Sequence, residues 1–129
     1  MMTPSIQPQQ FCLTVHASPI HGKGLFAEQD IPADTLIYES DEYSVSRTAK
    51  YGTIQRTPTE HLLEKTLRWE NHSCVPNTML DFDGPSIQLI ATKHILEGEE
   101  IVCDYRDTEN SIPEPFRCNC GHCPGVIIR

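Results

Sequence analysis

No run of apolar residues in this 129-residue chain reaches the ~18 that a membrane-crossing helix needs. Basic residues are scarce as well: 10 Lys and Arg stand against 18 Asp and Glu, a formal net charge of −8. Phosphate backbones require a basic surface, so no direct nucleic-acid partner is expected. An acidic surface instead suits a basic protein or peptide. The two glycines of "HGKG" lack a trailing Lys-Ser/Thr and the remainder of a dinucleotide fingerprint, which excludes a phosphate loop. None of the six histidines has Glu two positions later, and Cys120 follows Asn119, not Pro, which excludes the zinc deaminases. Met1 to Gln10 has neither a basic n-region nor an apolar h-region, so residues 1–10 are expected to be a disordered leader and not a secretory signal. The expected location is therefore intracellular, cytoplasmic or nuclear, where six cysteines bind metal or stay free more often than they pair.

What the chain does contain is turn chemistry. Ten prolines and seven glycines punctuate short β-like runs at Phe11 to His16, Leu36 to Ser40, Tyr43 to Ser46, Tyr51 to Gln55, Ile87 to Thr92 and Glu100 to Cys103. One domain of mainly β class is expected. Thr59 to Trp69 is the best helix candidate, because Thr57 and Glu60 have capping-box spacing. Its leucines follow a helical period only weakly, so a strand there is the alternative.

Four motifs carry chemistry. "HGKGLFA" (His21 to Ala27) reads as a hairpin turn entering an apolar strand. "NHSC" (Asn71 to Cys74) reads as a tight polar turn whose side chains bond to nearby backbone. "EGEEIVCDYR" (Glu97 to Arg106) is a turn feeding a strand that ends near Tyr105, either half-buried packing or a phenol aimed into a site. "FRCNCGHC" (Phe116 to Cys123) brings three thiols within six positions, a spacing that wraps tetrahedral Zn²⁺.

In order and spacing these motifs, with "RWENHSCVPN" and "EEIVCDY" together the most specific, resemble the SET-domain protein lysine methyltransferases over about residues 12 to 127. The resemblance implies a SET fold of several short sheets with a knot-like C-terminal crossing and a zinc-stapled tail. Residues 11–110 would form the catalytic domain and residues 111–129 a post-SET-like zinc-binding tail. It implies S-adenosylmethionine bound by Gly22, Lys23, Gly24, Asn71, His72, Tyr105 and Phe116, and Zn²⁺ bound by Cys74, Cys118, Cys120 and Cys123. Tyr105 would be the catalytic phenol, and the substrate a lysine in a basic protein or peptide, such as a histone-like tail. The alternative function is a catalytically silent SET-like zinc module that binds a basic peptide.

The chain departs from that family in places. Its tail reads Cys-x-Cys-x2-Cys where Cys-x-Cys-x4-Cys is usual. Glu70 replaces an aliphatic residue, and would salt-bridge an arginine or perturb the pocket. Cys103 replaces Phe or Tyr, which implies room for a di- or trimethylated product. A second channel tyrosine is either Tyr43 or Tyr51.

Overall fold

A computed structural model describes residues 11–129; the expected leader, residues 1–10, lies outside the described residues. Among the described residues twelve short strands follow one another: β1 (Leu13–Ala17), β2 (Lys23–Ala27), β3 (Leu36–Ser40), β4 (Ser44–Ser46), β5 (Ile54–Thr57), β6 (Glu60–Leu63), β7 (Asn71–His72), β8 (Thr78–Asp83), β9 (Ser86–Ala91), β10 (Glu100–Cys103), β11 (Phe116–Arg117) and β12 (Ile127–Ile128). They form four small sheets ordered β1-β2-β10-β7, β3-β9-β8, β4-β6-β5 and β11-β12. The mainly β expectation holds.

Alternation explains which face each strand buries. In β9, Ile87, Leu89 and Ala91 are fully buried while the intervening residues are not, the period-2 signature of a sheet covered on one side. Leu25, Ile31, Ile37, Leu62, Ile95 and Ile101 complete a core that joins the larger sheets. No helix is long and apolar enough to cross a membrane among the described residues.

The helix expected over Thr59 to Trp69 is absent, and the alternative, a strand, is present at Glu60–Leu63. β5 and β6 form a hairpin there, with Thr57 paired to Glu60 across the turn. The two capping-box residues are used differently. Thr57 accepts the Thr59 N–H at 3.3 Å, and Glu60 turns sideways to an ion pair with Arg56 at 3.2 Å. Within that stretch only Leu67–Trp69 is helical, as one 3-10 turn. The buried Glu64 carboxylate forces that turn by accepting the backbone N–H groups of Thr66 and Leu67 (2.8 Å each) and the Tyr38 hydroxyl. β8 was not expected; its outward side chains include Asp81 and Asp83, which make the segment resemble turn sequence.

β10 positions the site. It pairs antiparallel with β2 and parallel with β7, setting Asn71 opposite Val102 and His72 opposite Cys103. "NHSC" is therefore laid along the strand that ends just before Tyr105.

Candidate active site and thiol cluster

Each polar residue of "NHSCVPN" has a distinct task. The Asn71 amide nitrogen donates toward the carbonyls of His21 and Lys23 (3.1 Å each) and Glu100 Oε2 (2.9 Å), which clamps the glycine turn to β10. Ser18 Oγ donates to the same Glu100 carboxylate at 2.8 Å. Asn77 grips β10 from the other side: its Oδ1 accepts the Val102 N–H (3.0 Å) and its Nδ2 donates to the Glu100 carbonyl (2.9 Å).

His72 joins two centres. Its Nδ1 accepts the Tyr105 N–H at 3.0 Å, which leaves the ring proton on Nε2, 3.6 Å from Cys74 Sγ. Burial pushes the imidazole below its ordinary pKa, so it is neutral. Its 3.6 Å approach to Asp104 is thus no ion pair. Asp104 is taken instead by the Arg106 guanidinium at 2.6 and 2.8 Å, which lowers that carboxyl's pKa.

Tyr105 follows directly. Its hydroxyl donates to the Glu70 carbonyl at 2.8 Å, and burial holds the phenol protonated. The rings of His72, Tyr105 and Phe116 meet edge to face with centroids 5.3 to 6.0 Å apart. Phe116 is fixed by β11, opposite Ile128 of β12.

These rings border a cavity of about 770 Å³, inside the usual range of roughly 300–1,000 Å³ for small-molecule sites. Lys23, Asn71, His72, Tyr105 and Phe116 all line it. Gly22 and Gly24 do not; they shape the turn behind it. Gly22 has φ +45°. A Cβ on Gly24 would lie 2.2 Å from Glu100 Oε2, so that glycine serves close packing of Glu100. Of the two candidate channel tyrosines, Tyr51 borders the cavity. Tyr43 points away, donating to the Pro85 carbonyl and accepting from Arg56.

The sequence reading missed Trp69, Glu109 and the Glu100 clamp. Trp69, which has Lys23 and Arg68 over its ring at 5.9 and 4.9 Å, stands only two residues before Asn71 and was the one with a visible signal. Glu70 is buried and forms no ion pair with an arginine among the described residues. Its Oε2 accepts the Thr78 hydroxyl, and Oε1 has no partner among the described residues. Burial raises its carboxyl pKa to about 7.

The four predicted metal ligands converge. Cys118, Cys120 and Cys123 group together, Cys74 joins them through Cys118 in a second group that includes His72, and no disulfide links any pair. Cys120 and Cys123 Sγ are 3.8 Å apart; a tetrahedron with Zn–S bonds of ~2.3 Å has edges of ~3.8 Å. The shortened spacing closes at Gly121 (φ +84°), and the His122 N–H reaches back to Cys120 Sγ at 3.3 Å. Four adjacent thiols cannot all ionise unaided. Burial and neighbouring thiols push Cys74 up to about 12 and raise Cys118. Cys120 falls to about 6, burial opposing and the His122 N–H favouring the thiolate, and the N–H groups of Val126 and Gly125 lower Cys123. A divalent cation would remove the mutual repulsion, so the donor set fits zinc.

A cavity flanked by "NHSC" and "DY" and a thiol cluster tying them to the tail define a SET domain. Residues 22–106 match the SET domain family, and the chain belongs to it. It is 31% identical to "Histone-lysine N-methyltransferase 2D" of Homo sapiens over 129 aligned residues, which span 81% of this chain and 2% of that protein. It is 33% identical to "Histone H3-lysine(4) N-trimethyltransferase ATX1" of Arabidopsis thaliana, across 75% of this chain and 8% of that one. The fold is similar to a crystal structure of KRYPTONITE in complex with mCHG DNA and S-adenosylhomocysteine (SAH), with TM-score 0.69 and 24% identity over 90% of this chain and 29% of that chain. The chain thus spans only a small part of these relatives.

Proposed function

We propose that the chain methylates a lysine side chain in a basic protein or peptide, using S-adenosylmethionine. The observation that carries this reading is the Tyr105 hydroxyl, held on the Glu70 carbonyl at 2.8 Å inside a cavity shared with Asn71, His72 and Phe116. Because the phenol donates to that carbonyl, its oxygen lone pairs are left to accept N–H from a neutral amine. That contact orients the amine lone pair, and orientation is the main demand of a direct displacement. The cavity fits the cofactor in size, and the Phe116 and Tyr105 rings suit a cation through their π faces. When bound, S-adenosylmethionine would supply an electrophilic methyl group on a sulfonium. Asn71, His72 and Phe116 would hold it, with Lys23 and the glycine turn beside it.

Zinc at Cys74, Cys118, Cys120 and Cys123 would fix Phe116 against the site. We read residues 11–110 as the catalytic part and 111–129 as its zinc-held wall. The acidic surface favours a basic substrate, and a histone tail is supported by the names of the relatives. A related KRYPTONITE structure contains an H3(1-15) peptide.

The test is incubation with radiolabelled-methyl cofactor and a panel of basic proteins, histone H3 included, followed by mass spectrometry. Cofactor binding without methyl transfer to any of them would favour the silent binding module. Cys103, smaller than a Phe or Tyr, would leave room beside Tyr105, so the expected product is di- or trimethyl-lysine, and Cys103→Tyr is expected to move it toward monomethyl-lysine.

A further inference from the structure

We propose that Glu70 accepts the proton that the substrate ammonium must lose, making it an acid–base residue beside Tyr105. This rests on the lysine-methylating reading above. Glu70 borders the cavity together with Cys103 and Tyr105. It is 4% exposed, and its Oε1 has no hydrogen-bond partner among the described residues. A buried carboxyl oxygen left unpaired is costly. An aliphatic side chain at this position would avoid that cost, so the orphaned oxygen points to a partner that arrives with the substrate.

The groups facing Glu70 are all uncharged at neutral pH. Thr78 approaches from β8 with its hydroxyl, and Cys103 from β10 with a thiol that is a weak donor to the Glu70 carboxyl and whose pKa burial, the Glu70 charge and that contact push up. Tyr105, after β10, donates to Glu70's own carbonyl and is held protonated by burial. No lysine or arginine forms an ion pair with Glu70 among the described residues.

A free lysine has a pKa of about 10.4 and carries no nucleophilic lone pair at neutral pH. Two other acceptors that line the cavity are engaged. His72 Nδ1 holds the Tyr105 N–H. Glu109 Oε2 takes the Gln55 N–H and the Thr108 hydroxyl, both at 2.8 Å. Glu70, with a carboxyl pKa raised to about 7 by burial, is ionised in part and poised where general bases are effective. In the step proposed, an ammonium N–H bond breaks and its electron pair stays on nitrogen. The proton forms an O–H bond at Oε1, and the opposite charges of the pair cancel. Cys103 matters here because a Phe or Tyr in its place would crowd the same corner.

The test follows the Glu70 carboxyl by carbon-13 NMR in the full chain with zinc and S-adenosylhomocysteine bound, with and without n-butylamine as the probe, Glu70→Gln providing the assignment. Butylammonium is expected to move the titration midpoint from about 7 to below ~6. In methyl transfer, Glu70→Gln is expected to cost about 100-fold in kcat at pH 7 and to recover at high pH, where water deprotonates the amine. A midpoint unmoved by butylamine, or a wild-type pH profile in Glu70→Gln, overturns the proposal. Failure of the chain to bind S-adenosylhomocysteine overturns instead the functional reading beneath it.

Discussion

Tyr105 and Glu70 show how much depends on single groups. Tyr105→Phe removes the hydroxyl that bonds to the Glu70 carbonyl but leaves the ring contacts with His72 and Phe116 in place. The expected result is a loss of about 100-fold in kcat with little change in cofactor affinity, measured by single-turnover methyl transfer alongside calorimetry. Near-full turnover would make the residue packing only. Glu70 also has a stability signature. Its folded pKa of about 7 lies above the unfolded value of 4.5, so the folded state holds its proton more tightly. The penalty for burying it is absent below pH ~4.5, grows between the two values and is complete above about 7. It should reach about 3 kcal/mol. Thermal melts at pH 5 and 8 should therefore show wild type losing stability relative to Glu70→Gln as pH rises. An equal pH response of the two chains would mean that Glu70 titrates normally.

At the scale of elements, the clamp between the glycine turn and β10 is the joint that holds the cavity open. Gly24→Ala would drive a methyl group into Glu100, which Asn71 and Ser18 already fix. An overpacking cost of about 1–3 kcal/mol is expected, read as a lower urea midpoint, together with weakened cofactor binding because His21 and Lys23 border the cavity. An unchanged midpoint would mean that Glu100 swings aside freely. Strands rich in β-branched and apolar residues were legible from sequence, and Leu36–Ser40 and Glu100–Cys103 fall where their patterns put them. Thr59 to Trp69 was ambiguous between helix and strand, because a capping-box spacing and a hairpin turn use the same residue types. The thiols and "NHSC" were legible because their chemistry lies in residue identity. The Tyr105–Glu70 bond was not, since its acceptor is a backbone carbonyl and any residue could have provided it.

For the molecule as a whole, the question is what holds the tail against the rest. The apolar core runs through residues from Leu25 to Ile101 and takes nothing from the tail. Cys118 and Ile128 are buried outside it. Asn119 donates to the Ile20 carbonyl at 2.9 Å and Phe116 packs on His72 and Tyr105, while β11 pairs with β12 inside the tail itself. Cys74, in the turn after β7, is the ligand that would connect a tail metal to the core. Metal binding of this kind supplies folding free energy directly, and here that energy would act on Phe116 and hence on one wall of the cavity. One zinc per chain is expected by elemental analysis of protein kept reduced. Cys123→Ser should lose the metal and the methyl-transfer activity, while the cooperative melt of the β core survives because no tail side chain belongs to it. Protein isolated reduced and without metal, yet with Phe116 still protected and activity intact, would show that Asn119 and the packing of Phe116 on His72 and Tyr105 suffice to hold the tail.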